Sequence, residues 1–244
     1  HVSLTEIIRQ KGVNPIIAYS AAIREQIHKL KIDWEIPVDQ PEGIGVELVP
    51  RDAKVLEEIF LRYFDTEEFR LDADYVKVVA YRNATVDYFN NMVRKLIYKA
   101  DVLAKVLVGE KLVLDEPVLE KSKMVMAKNE EITVLHAVEE GYELRYRIIK
   151  ANAFSRQQDP EVQDFTRMLK VYNCVVQNAE NFKHRVYILH ETSEKDFKEV
   201  QAEIEANARK LSQNGRIYEM KDQWKQFYKL KEKFAWTRYN YAIT

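Results

Sequence analysis

Residues 74–98, DYVKVVAYRNATVDYFNNMVRKLIY, constrain the fold more than any other stretch, because they join a strand pattern to a helix pattern through one polar corner. Val76, Val78, Val79, Ala80 and Tyr81 form a β-rich apolar run too short for a helix, bounded by Asp74 and Asn83. From Ala84 on, Val86, Phe89, Val93 and Ile97 take the three-and-four spacing of one helical face, while Asp87, Asn91 and Lys95 point elsewhere. Asn83 falls where the strand stops and the helix starts, and an Asn side chain there can accept a bond from the free N–H groups of the first turn. A helix N-terminus just past the carboxyl end of a strand also carries a partial positive charge that suits a phosphate. The corner is therefore a plain helix cap or a phosphate contact, and spacing alone favours the cap.

The flanking segments extend this α/β alternation. Asn14 and Pro15 predict a helix to about Leu30, with Ile16, Tyr19, Ile23, Ile27 and Leu30 inward. Residues 32–50 hold three prolines and two glycines and read as a connection, with a short strand allowed at 45–49. Asp52 then caps a helix to about Phe64, with Val55, Ile59, Phe60 and Tyr63 inward. Such alternation predicts a parallel sheet with helices on its faces.

After about Lys105 the texture changes to short β-rich runs: 110–114, 131–138, 143–149, 169–177 and 184–190, with Glu140-Gly141 among the turns between them. Five short strands predict a small antiparallel barrel of SH3 or OB type. Helical spacing returns at Ser193, which opens a near-capping box, with Phe197, Val200, Ile204 and Ala208 on one face. A second helix, from Asp222 to about Phe234, predicts a helical hairpin projecting from the barrel. Residues 237–244 return to strand character and are expected to rejoin the first sheet, making the barrel and hairpin an insertion.

With 38 basic and 39 acidic residues the formal net charge is −1, so no global field announces a nucleic acid or a membrane, and any such site must be local. Cys174 is the only cysteine, which excludes an intramolecular disulfide and points to a reducing, cytoplasmic setting. The five histidines show no metal-ligand spacing with it, so no metal site is expected. No uncharged apolar run approaches a membrane span. The first residue is not Met and the last run ends without a turn, which reads as a piece of a longer protein.

Three segments, in order, resemble the carboxyl-terminal half of superfamily 1 DNA helicases of the RecD and Dda type, the exodeoxyribonuclease V alpha-subunit-like group. LTEIIRQ (4–10) with the following NPII resembles the family segment that opens the second RecA-like motor domain. VVAYRNATVDYFN (78–90) is similar to its strand-and-helix element, and RYNYAIT (238–244) to the strand that leads into its His-Lys-x-Gln-Gly segment. VGEKLVLDEP (108–117) resembles the start of that domain's SH3-like insertion. The resemblance implies a P-loop NTPase-like, RecA-like parallel-sheet domain over 1–105 plus 236–244, an SH3-like barrel over 106–192 and a helical extension over 193–235. It implies a helicase, a 5′-to-3′ ATP hydrolase of DNA repair and recombination, whose partners are single-stranded DNA, the preceding motor domain and nuclease or helicase subunits. ATP and Mg2+ are the cofactors implied. No G-x-x-x-x-G-K-[ST] loop occurs in the chain, so the chain alone is expected to bind neither and to be inactive.

The resemblance makes Arg9 the catalytic cation that reaches the terminal phosphate of ATP, with Gln10 beside it at the nucleotide. It also makes Arg82 and Asn83 contacts to single-stranded DNA phosphates, since they end a motor-domain strand. On the barrel, Tyr142, Arg145, Tyr146, Arg147 and Lys150 interleave aromatic and basic side chains, as strand-binding platforms do. Alternation puts Tyr146 opposite Arg145 and Arg147, so Tyr146 reads as core and the two arginines as DNA contacts. Trp224, Phe227, Tyr228 and Trp236 read as core too. The competing reading is a non-catalytic module in which the barrel grips nucleic acid or a protein.

Overall fold

The computed structural model describes residues 15–27, 49–50, 52–72, 75–150 and 160–243. Arg9, Gln10, Leu30 and the 45–49 strand assignment, apart from Val49, lie outside them. Helix α1 (Pro15–Gln26) begins at the expected proline. Ile23 and Ile27, expected inward, are exposed, because apolar residues are spread round this helix and mark no single face. Helix α2 (Ala53–Phe64) is capped by Asp52, whose Oδ1 accepts from Lys54 N at 2.9 Å and Val55 N at 3.3 Å. Phe60 and Phe64 are its buried residues, and Tyr63, expected inward, is exposed.

The chain divides into two units between Ile59 and Phe60, and both main sheets belong to the second. After α2 come α3 (Glu67–Leu71), β1 (Val78–Val79), α4 (Asn83–Tyr98), β2 (Lys111–Leu114), β3 (Val118–Glu120), β4 (Lys123–Met126), β5 (Glu131–Lys150), β6 (Glu161–Asn178), β7 (Lys183–Leu189), α5 (Glu194–Gln213), α6 (Ile217–Lys231), β8 (Thr237–Tyr239) and β9 (Ala242–Ile243). The architecture is mixed α/β, with a two-stranded parallel sheet β1-β9 and a five-stranded antiparallel sheet of order β7-β6-β5-β2-β8. Strands β3 and β4 form a separate hairpin.

The parallel pair joins residues more than 160 positions apart, with Val78 opposite Ala242 and Val79 opposite Ile243. Helix α4 lies between these strands in sequence and packs on them. Phe60, Phe64, Phe69 and Phe89 meet edge-on beside it at centroid distances of 4.9–5.6 Å. Thr66 caps α3 by accepting from Phe69 N at 3.2 Å, which fixes Phe69 in this cluster.

Strands β5 and β6 pair from Lys150↔Glu161 to Ile132↔Asn178, interrupted only by a bulge between Val134 and His136. The expected turn at Glu140-Gly141 is therefore absent. Gly141 sits in the ladder opposite Lys170, where a Cβ would meet only the end of the exposed Met168 side chain, Cε at 3.3 Å. The hairpin buries two clusters. Leu112, Leu114, Ile132, Val134, Cys174 and Val176 lie at the β2 end, and Leu144, Tyr146, Leu169 and Val171 meet Phe197, Val200, Ile204 and Leu230 of the helices further along. Each fully buried side chain of this size contributes roughly 1.5–3 kcal/mol.

The helical hairpin α5–α6 thus packs on the β5–β6 ladder instead of projecting freely, because both helices have an apolar face to bury. Gly215, at φ +71°, makes its turn, with Arg216 N donating to Leu211 O and Gly215 N to Ser212 O. Helix α6 starts at Ile217, five residues before the expected Asp222, since this turn ends α5 and releases the chain at once. Ser193 does not cap α5 with its side chain. Its Oγ accepts from Lys170 N at 2.7 Å and ties the helix start to β6. Residues 237–243 divide at Asn240 between the two sheets, where one continuous strand was expected.

Candidate nucleic-acid interface

Helix α4 positions the first candidate pair. Arg82 occupies the N-cap position with extended backbone (φ −116°, ψ 136°) and no side-chain cap bond, and its carbonyl accepts from Thr85 N and Val86 N. Asn83, expected to be the cap, is the first helical residue. The strand ends at Val79, earlier than the sequence implied, and the helix begins one residue earlier than expected. Both side chains are exposed, and Arg82 makes no ion pair among the described residues. The corner therefore presents a free guanidinium beside the open N–H groups of a sixteen-residue helix.

Two buried polar residues on the same helix were missed by apolar periodicity. Asn90 binds the backbone of β9 twice, accepting from Ala242 N at 2.7 Å and donating to Ala242 O at 3.3 Å. It satisfies the edge of β9 as another strand would. Arg94, one turn on, sends Nε to Glu110 Oε1 at 2.5 Å and Nη2 to Glu110 Oε2 at 3.0 Å and Ala104 O at 2.8 Å. The Tyr239 ring lies 4.0 Å from the guanidinium carbon, and Tyr241 Oη donates to Glu110. Burial pushes the Glu110 carboxyl above the ordinary range while Arg94 and Tyr241 pull it back, and the same carboxylate holds Arg94 charged. This knot joins α4 to β2, β8 and the loop before β2. The signal available in the sequence is positional: Asn90, Val93, Arg94 and Ile97 share one face of α4.

The second candidate pair stands on the long hairpin. Arg145 and Arg147 point to the face away from the helices, as alternation predicts, and Tyr146 is buried between them, stacked on Phe165 at 5.4 Å with Oη donating to Glu203. That face is not uniformly basic. Glu143 pairs with Arg145 and raises its pKa, Lys170 pairs with Glu139, and Arg147 stands opposite Asp164 in the ladder. Arg145 therefore offers less charge to a phosphate than Arg147, which has no ion pair among the described residues. Lys150 is exposed, whereas Tyr142 packs on Tyr187 and Phe234 and belongs to the core rim.

The structure brings Arg82 next to Asn83 and Arg145 next to Arg147 on one face, but no hydrogen bond, ion pair or ring contact among the described residues links the two pairs. Trp224, Phe227 and Trp236 are half-buried and packed, as expected, while Tyr228 is mostly exposed. Among the described residues no group of three or more His, Cys, Asp or Glu is placed to hold a metal, and no helix is long and apolar enough to cross a membrane. No protein-family model matches the chain, and a search of curated proteins finds no match.

Proposed function

We propose that the chain is the second motor half, with its insertion, of an ATP-dependent 5′-to-3′ DNA helicase of the RecD and Dda type. The observation that supports this reading best is the β1–α4–β9 arrangement, in which a strand, a helix and a distant parallel strand form one unit and the antiparallel sheet and α5–α6 fall between α4 and β9. A parallel pair joined through a helix is the building unit of sheets that bind nucleotides and single strands beyond their carboxyl ends. In this reading residues 1–105 and, of 236–244, the part after β8 are the RecA-like part, 106–192 with β8 at its edge the SH3-like barrel and 193–235 the helical extension. A preceding motor domain binds ATP and Mg2+, and Arg9 and Gln10 complete that site. Arg82, Asn83, Arg145 and Arg147 hold phosphates of the single strand, and the Arg94–Glu110 knot makes the insertion move with α4.

The test is fluorescence anisotropy of a labelled thymidine oligonucleotide with this chain over a range of salt. Weak binding is expected, with log K falling against log salt by about 0.7 per phosphate contact, and Arg82→Ala lowering both affinity and slope. A folded chain that binds no oligonucleotide at the lowest salt overturns the reading. ATP turnover by this chain alone, stimulated by DNA, would overturn the assignment of the nucleotide site to a preceding domain.

A further inference from the structure

The outward face of α6 repeats Lys221, Lys225 and Lys229 at four-residue steps, about 6 Å apart along the axis. Tyr218 lies at one end of this row and Tyr228 at the other, 83% and 57% exposed. All three lysines are exposed, and among the described residues none has a carboxylate partner. The neighbouring cations do: Arg216 is held by Glu219, Arg209 by Glu205 and Lys231 by Glu116. Helix electrostatics account for Lys229 in the last turn but give no reason for Lys221 and Lys225. The tyrosines are not needed by the core, which the opposite face of α6 fills through Leu230 and Phe227. Tyr228 is nonetheless held in place, with its ring 5.5 Å from Phe227 and 6.3 Å from Trp224.

The helix that carries the row is fixed to the long hairpin at the Arg147 backbone. Gln226 accepts from Arg147 N at 3.0 Å and donates to Arg147 O at 2.7 Å, and Gln223 donates to the same carbonyl at 3.1 Å. Helix α6 thereby seals the free edge of β5 at Arg147. Gln226 follows Lys225 and lies one turn before Lys229, so the lysine-bearing helix is anchored to the hairpin backbone at Arg147, whose side chain points to the other face of the sheet. We infer that this face of α6 is a further contact for single-stranded nucleic acid, in which the lysines meet phosphates and Tyr218 and Tyr228 stack on bases. Positive charges without counter-ions, at regular spacing and flanked by exposed, partly fixed rings, are the combination that binds a single strand irrespective of its sequence. The inference rests on the reading that this chain binds single strands, and it adds α6 to the path.

The test compares the intact chain with Lys221→Gln/Lys225→Gln/Lys229→Gln and with Tyr218→Ala, using the same labelled thymidine oligonucleotide over the same salt range. Glutamine keeps helix propensity, and circular dichroism verifies the fold of each variant. Loss of three phosphate contacts should flatten the salt slope by about 2, since each contributes about 0.7. Tyr218→Ala should weaken binding at least about fivefold with the slope unchanged, as loss of one stacked base does. If the folded lysine variant keeps both affinity and slope while Arg82→Ala loses them, the inference is overturned, the row faces a protein partner or solvent, and the single-strand reading stands. If the unmodified chain binds no oligonucleotide, that reading fails and this inference falls with it.

Discussion

The β1–β9 pair with α4 and the β5–β6 hairpin with α5–α6 hold together by different means. The parallel pair has two residues per strand, and its β9 edge is closed by one amide side chain, Asn90, and its link to the rest by one buried ion pair, Arg94–Glu110. The hairpin has an eighteen-residue ladder that buries an apolar cluster at either end. Directional bonds fix geometry at a cost in desolvation, whereas apolar burial fixes stability with little angular demand. The parallel pair is thus built for register and the hairpin for strength.

The comparison breaks most directly at Phe197. It is fully buried between the long hairpin and the C-terminal segment, 5.1 Å from Phe234 and 5.9 Å from Trp236. Phe197→Ala should cost about 3–5 kcal/mol, read by urea denaturation followed by far-ultraviolet circular dichroism. A loss under about 1 kcal/mol would mean that the helices only lean on the hairpin.

Asn90 sharpens the other side. Asn90→Leu keeps the volume but leaves Ala242 N–H and C=O buried without partners, so about 1–3 kcal/mol should be lost. Hydrogen exchange should localise the loosening to residues 78–80 and 241–243 while the β5–β6 ladder keeps its protection. Equal loss of protection in both regions would show that they unfold as one.

The same contrast decides what was legible in the sequence. Elements held by apolar periodicity could be read: the inward face of α4 at Val93, that of α5 at Phe197, Val200, Ile204 and Ala208, and Tyr146 as core. Pairing of residues 78–79 with the last strand was also within reach, because both are short β-rich runs outside the antiparallel texture. What escaped depends on polar or small residues with two meanings. Gly141 reads as a turn but lies within a strand. Ser193 reads as a cap but binds β6. Asn90 and Arg94 drew no reading, because a periodicity count ignores polar side chains, although each is buried with its bonds made. The break at Asn240 and Tyr241, which sends Tyr239 and Ala242 to different sheets, has no local signal at all. Among the site residues the arginine positions on the outer face followed from alternation, but the carboxylate that pairs with Arg145 comes from i,i+2 spacing that no motif expresses, and the placing of Asp164 opposite Arg147 comes from cross-strand register.

The smallest effect concerns Cys174, deep in the antiparallel sheet. Burial alone pushes its thiol from 9.0 to about 12. The folded value is the higher one, so the folded state keeps a proton that the unfolded state gives up, and stability is full below pH 9 and falls as pH rises toward 12. At pH 9, where the unfolded thiol is half ionised, the loss is only about 0.4 kcal/mol relative to neutral pH. Urea titrations at the two pH values should therefore differ by about that amount, and Cys174→Val should remove the difference. The parallel pair contributes little between neutral pH and pH 9, because its raised groups, Tyr241 and Tyr98, start from 10.0 and each adds only about 0.06 kcal/mol at pH 9. A thiol reagent gives the finer reading, since a protonated, buried thiol reacts only when the strand opens. The rate should follow the stability of the β5–β6 ladder, slowing with added stability and rising in Phe197→Ala, and it should be indifferent to Asn90→Leu. A rate that responded to Asn90→Leu as strongly as to Phe197→Ala would mean that the small parallel sheet gates the opening of the large one, and the separation of register from strength would not hold.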